Sequence, residues 1–245
     1  MNAPRIVIIA ALRREVDELL FGQARQMQYL REGKSPTYIL NEFSITCAGI
    51  GPDAASKSAD ALIQQLHPEL VISVGFAGAA DPSLNAGAVI SPKTVIDSKS
   101  GQTFSTIRGD GVLVSSPKIV NAQEKAQLRL RYGAVAVDME AAAVAERAHH
   151  HGVPFLGVKS ISDTSETTLP DLGRFVREDG AFSTMSFLTY LMLHPTWWPA
   201  VRRLAINSTI AARTLASSLR QILADRSLIP VANSGASTQF KVKSE

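Results

Sequence analysis

The stretch AVAVDMEAAAVAERA, residues 134–148, decides how the chain is read. Residues 134–137 form a short run of small apolar side chains, the pattern of a buried strand, and an alanine-rich helix begins just beyond. Asp138 and Glu140 stand at the handover. A buried ionised carboxylate is costly unless something pairs with it. Either the protein satisfies Glu140 or a ligand does. Its backbone begins a helix, whose N-terminal dipole favours an anion. Glu140 is therefore expected to stay ionised and to accept hydrogen bonds, for example from the vicinal hydroxyls of a sugar.

The same alternation recurs outward from this stretch. RIVIIA (5–10) reads as a buried strand and LRREVDELL (12–20) as an amphipathic helix. TYILNEFSITCAGIG (37–51) carries a hairpin pattern that ends in a glycine turn. PDAASKSADALIQQL (52–66) is a helix with Pro52 in its first turn. ELVISVGFAGA (69–79) is a continuous apolar strand, as expected in mid-sheet under two helical layers. Further strands are predicted at 86–97, 111–116 and 154–163. Helices are predicted at 117–133, closed by Gly133, and from Glu140 to Gly152. This order predicts an α/β fold, a single-domain three-layer αβα sandwich with a mixed, mainly parallel central sheet. The core spans 1–170, C-terminal helices broken at Pro195 occupy 171–225, and 226–245 is a polar tail expected to be disordered.

Composition narrows the function. The chain has 245 residues and is 45% hydrophobic, which suits one large α/β domain. Charged residues make up 19%, the net charge is +3, and no block of like charges occurs in the first 190 residues, so nucleic acid binding is not indicated. Cys47 is the single cysteine, which excludes an internal disulfide and cysteine metal sites and points to the cytoplasm. The apolar run at 6–12 is followed at once by Arg13 and Arg14, unlike a signal peptide, and no stretch is long enough to span a membrane.

Ligands of such sheets bind beyond the carboxyl ends of the strands. Glu15, the turn GFAG, Asp138 with Glu140, and Ser162 with Asp163 all fall there. Neither GxGxxG nor GxxxxGK[ST] is present, so a dinucleotide fold or a P-loop is unsupported. The turn GIG (49–51) reads as tight strand–helix packing, whereas GFAGA serves either packing or close approach to a ligand. His149, His150 and His151 point in different directions around a helix end, which suits the dipole better than a metal. Taken alone, Glu15 among Arg13, Arg14, Asp17 and Glu18 reads as a solvated helix face, and Asp163 in SDTS as a turn cap.

Together, IVIIAALRREV, AGIGPDAA, VISVGFAGA, AVDMEAAAVA and VKSISDTSE, spread over roughly residues 4–165, resemble the nucleoside phosphorylase/nucleosidase superfamily. The nearest branch of defined chemistry is that of the 5′-methylthioadenosine/S-adenosylhomocysteine nucleosidases. The resemblance implies that Met139 and Glu140 hold the ribose, Asp163 protonates the purine N7, Ser162 orients Asp163, and Glu15 activates the attacking water. Ala77, Gly78 and Val120 would form the base pocket. Breaking a glycosidic bond to adenine needs one carboxyl to donate a proton and another to activate the nucleophile, and no metal or other cofactor. Asp163 then needs a raised pKa, and Glu15 must be ionised.

Two departures qualify the resemblance. Phe76 stands where these families usually carry Ser or Thr, which weakens a phosphate site, although Arg13 and Arg14 could bind phosphate. TLPDLGRF and the long C-terminal helices are similar to the hopanoid-associated phosphorylases, which are taken to remove adenine from adenosylhopane. The expected function is hydrolytic release of adenine from a 5′-substituted adenosine, with phosphorolysis and non-catalytic nucleoside binding as alternatives. The expected partners are a small-molecule nucleoside, lipid-tailed in the hopanoid reading, and a second copy in a homodimer. FLTYLMLHPTWWPAVRRLAI (187–206) reads as core and surface helix or as a peripheral contact with the inner membrane face.

Overall fold

Strand β1, Ile6–Ala10, is buried along its whole length. Val7 and Ile9 enter one core while Ile6, Ile8 and Ala10 enter another on the opposite face. An unbroken apolar run means this two-sided burial. The computed structural model describes residues 5–21, 28–30, 36–40, 43–168, 170, 172–177 and 182–225; the predicted tail at 226–245 and Leu169 of the Leu-Pro pair lie outside these.

The helix predicted for 12–20 is instead a 3-10 turn, Arg13–Glu15, followed by the single-turn α1, Asp17–Leu20. The cause is Glu15, whose carboxylate turns back onto the backbone N–H groups of Ala11 and Leu12. Strands β2 (Gln28–Leu30), β3 (Thr37–Leu40) and β4 (Phe43–Cys47) form an antiparallel meander. Helix α2 spans Pro52–Leu66 and strand β5 spans Leu70–Ala79.

The strand predicted at 86–97 is two pieces, β6 (Val89–Ile90) and β7 (Thr94–Asp97), on different partners. Pro92 lies between them and has no N–H to continue a ladder. Strands β8 (Thr103–Ser105) and β9 (Val112–Ser115) follow. Helix α3, Ala122–Tyr132, starts later than predicted, because Asn121 and Glu124 form a reciprocal capping box with bonds of 2.8 and 2.9 Å. Then come β10 (Ala134–Asp138), α4 (Ala141–His150), β11 (Phe155–Asp163), α5 (Thr184–Leu193) and α6 (Trp198–Ala224).

The described strands join in one eleven-stranded sheet, ordered β2-β3-β4-β1-β5-β10-β9-β7-β8, with β11 beside β5 and β6. Most central pairs are parallel, β1 with β4 and β5, β11 with β5, and β9 with β7 and β10, while β10 meets β5 antiparallel. Helices α2 and α4 cover one face through Ala55, Leu62, Val144 and Ala145. The other face is covered by α6 through Leu215, Ala216 and Leu219, together with Leu19 and Leu20 of α1. Helix α3 closes a third cluster over Val114 and Val137. The mixed, mainly parallel three-layer sandwich is the fold that the sequence predicted. Among the described residues no helix is long and apolar enough to cross a membrane.

Candidate active site

The carboxyl ends of β1, β5, β10 and β11 open onto one cavity of about 520 Å³. Glu15, Asp163, Glu140, Met139, Ser162, Ala77, Gly78, Val120 and Arg14 all line it. The stretch 117–121, freed by the late start of α3, supplies part of its wall.

Glu15 is buried, not solvated as its charged neighbours suggest. Its Oε2 accepts from the N–H groups of Ala11 and Leu12 at 2.9 Å each, and its Oε1 from Phe76 N at 3.1 Å. Burial raises its pKa, while these donors and Lys159 pull the other way. Gly75, at φ +146°, makes this possible: a Cβ there would lie 2.9 Å from Glu15 Oε1.

The two carboxylates of DME divide the work differently from the sequence reading. Asp138, not Glu140, meets the start of α4: its Oδ2 accepts from Ala141 N at 2.9 Å, and its Oδ1 from Ser115 Oγ at 2.5 Å. Ser115 Oγ in turn accepts from Ala142 N at 2.9 Å. Glu140 Oε1 accepts instead from Gly51 N, at 2.8 Å, at the entrance to α2. Burial first, and then the charge of Asp138, push the Glu140 pKa up to about 7.

Beneath these groups lies Lys159, fully buried, with Nζ 2.9 Å from Asp138 Oδ2 and hydrogen bonds to Ser73 Oγ (3.2 Å) and Val74 O (3.4 Å). It is the buried cation that Asp138, Glu140 and Glu15 share. Sequence reasoning missed it. The available signal was a lysine inside the apolar run PFLGVKSIS, since lysine is almost never fully buried unless paired.

Asp163 accepts from Ser162 Oγ at 2.8 Å through Oδ1, while its Oδ2 is paired with Lys125 of α3. Lys125 was also missed, because α3 otherwise reads as a solvated polar helix. A lysine side chain, not an apolar group, packs against this carboxyl. Gly78 leaves the room, as a Cβ there would lie 2.8 Å from Asp163 Oδ2 and 2.9 Å from Lys125 Cε. The close approach permitted by GFAGA is thus to the carboxylates of the site themselves. Among the described residues no three His, Cys, Asp or Glu side chains come together as a metal site.

The sequence profile of the phosphorylase superfamily matches residues 5–109 and 103–185. The chain belongs to the phosphorylase superfamily. The 5′-methylthioadenosine/S-adenosylhomocysteine nucleosidase of Buchnera aphidicola subsp. Baizongia pistaciae is 28% identical over 205 residues, 68% of this chain and 81% of that protein. The enzyme of the same name from Staphylococcus aureus (strain bovine RF122 / ET3-1) is 30% identical over 156 residues, 50% of this chain and 68% of that protein. Futalosine hydrolase of Helicobacter pylori strain 26695 shares the fold, with a TM-score of 0.70 at 17% identity over 91% of this chain and 98% of that one. The expectation of an enzyme is met.

Two further sequence readings change for this phosphorylase-superfamily member. Arg13 does not reach the cavity: its Nε bonds Asp17 Oδ1 at 2.9 Å, and its guanidinium lies 5.5 Å from the Tyr38 ring centroid. Only Arg14 lines the cavity, with its guanidinium 5.5 Å from the centroid of the Phe76 ring. At Gly51 of the turn GIG, close packing is not what the glycine serves. A Cβ on Gly51 would meet nothing within 4 Å; the glycine supplies φ +99° and the N–H that holds Glu140.

Proposed function

We propose that this protein hydrolyses the N-glycosidic bond of a 5′-substituted adenosine and releases adenine. The observation that carries the reading is the convergence of Glu15, Glu140 and Asp163, from three separate strand ends, on one cavity of about 520 Å³. That volume is in the range of small-molecule sites. Glu140 accepts from the ribose hydroxyls and Met139 packs beside them. Ala77, Gly78 and Val120 border the base. Asp163, oriented by Ser162, faces N7. Glu15 takes a proton from the attacking water. Charge builds on the leaving base and on the sugar in the transition state, so a donor at one end and a base at the other lower the barrier together.

Water is the preferred nucleophile because Phe76 puts a ring where a hydroxyl would help hold phosphate. Phosphorolysis is kept as a second reading on one observation, the Arg14 guanidinium on the cavity wall. The finer reading of the substrate is adenosylhopane. Its support is the position of α6, whose Leu204 lines the cavity while Met185, Met192, Leu193 and Trp198 are exposed nearby in the chain. Residues 182–224 carry Arg202, Arg203, Arg213 and Arg220 and no Asp or Glu, a composition suited to an anionic membrane face.

The test is adenine release from 5′-methylthioadenosine and from adenosylhopane, each with and without phosphate. Release without phosphate supports hydrolysis, and strict dependence on phosphate assigns Arg14 to the anion. Turnover of the lipid-tailed substrate alone supports the finer reading. No release from either substrate would overturn the proposal in favour of a nucleoside-binding protein.

A further inference from the structure

Lys125 is the one buried residue of α3; the helix's other charged side chains, Glu124, Arg129 and Arg131, are partly or fully exposed. Its ammonium pairs with Asp163 and donates to Thr164 O at 3.0 Å. It stands behind Asp163 and is not itself part of the cavity wall. The space it occupies exists only because residue 78 is glycine. Helix α3, strand β5 and strand β11 are thus all shaped around one ammonium–carboxylate pair whose carboxylate faces the cavity. A tether between α3 and the sheet would not need to end on the carboxylate that lines the site.

We infer that Lys125 is a positioning residue that resupplies the proton Asp163 delivers to the departing base. The inference rests on the glycosidic reading above. As the bond between C1′ and the purine nitrogen breaks, its electron pair goes to the base. A proton passes from Lys125 Nζ to the Asp163 carboxylate and from Asp163 on to N7. Water adds its oxygen to C1′ and loses a proton to Glu15. Lys125 ends as a neutral amine, Glu15 as a carboxylic acid and Asp163 as the carboxylate it began as. Solvent then returns the proton from Glu15 to Lys125, and no other co-reactant is needed.

The test separates proton supply from structural support by changing the leaving group. Adenine needs a proton to leave; 4-nitrophenolate does not. The full-length Lys125→Met variant is expected to release adenine from 5′-methylthioadenosine about 100-fold more slowly than the parent, the scale of general acid catalysis. KM should stay within about threefold, and 4-nitrophenolate release from 4-nitrophenyl riboside should fall by less than about threefold. Lys125→Arg keeps a cation for folding but holds its proton, and is expected to lose adenine release to a similar extent while melting like the parent. Equal losses on the two substrates, or a fully active Lys125→Arg, would overturn the inference. If the parent releases adenine from no nucleoside, it is the proposed function that fails.

Discussion

Replacing Glu140 with glutamine tests the electrostatics of the cavity floor. In the folded chain burial and the Asp138 charge raise this carboxyl from 4.5 to about 7, against the opposing pull of Lys159 and the Gly51 N–H. A group whose folded pKa is raised binds more protons in the native state than in the unfolded one between those two values. Its stabilising contribution is therefore fully present below about pH 4.5 and is lost as pH rises through about 7. At about 1.4 kcal/mol per pH unit, the complete loss is roughly 3 kcal/mol. Glu140 keeps part of its surface open to the cavity, so solvent screening brings this nearer to 2 than 4 kcal/mol, on the order of the usual discount. Glutamine keeps the shape and never ionises. The unfolding free energy of Glu140→Gln relative to the parent should thus shift by roughly 2–3 kcal/mol in favour of the variant between about pH 5 and about pH 8.5. Urea unfolding of both proteins across that range, fitted with a common slope, measures it. A difference that stays constant within about 0.5 kcal/mol would refute the placement of an unneutralised carboxyl here. The same group couples to binding: hydroxyls that donate to it prefer the anion, so nucleoside affinity should rise up to about tenfold per pH unit below 7 and level off above.

Three other perturbations probe the same arrangement. Lys159→Met strands Asp138, Glu15 and Glu140 without their shared cation and should cost about 3–5 kcal/mol; an unchanged melting temperature would contradict the shared-cation account. Gly78→Ala pushes a methyl group against both Asp163 and Lys125 and should slow adenine release at least about 10-fold with little change in fold; full activity would mean that the pair can move aside without consequence. Arg13→Ala should leave turnover within about twofold, because its partner is the exposed Asp17 and such pairs contribute little, whereas Arg14→Ala should change substrate or phosphate affinity; equal effects of the two on KM would argue against their different placement.

Much of this site was legible because its residues sit at strand ends, and strand ends can be read from apolar runs. RIVIIA, ELVISVGFAGA, AVAVD and PFLGVKSISD each announce a buried strand, and Glu15, Gly78, Glu140 and Asp163 follow from where those runs stop. Local charge pattern misled at Glu15, since four charged neighbours suggest solvent while the backbone N–H of Phe76, 61 residues away, holds the carboxylate inside. It misled again at α3, where an overwhelmingly polar helix hides one buried lysine.

The sequence by itself therefore determined the layered α/β architecture and the rim on which the carboxylates gather, because both follow from the period and length of apolar runs. Only the tertiary structure decided what each charge does. Asp138 became a helix cap and Glu140 the group left for a ligand once Gly51, 89 residues away, donated to one and not the other. Lys125 met Asp163 across 38 residues, and Lys159 found three carboxylates from two separate strand ends. Such pairings depend on distance and burial in three dimensions, where the cost of an unpaired charge is highest, and one-dimensional spacing carries no record of them.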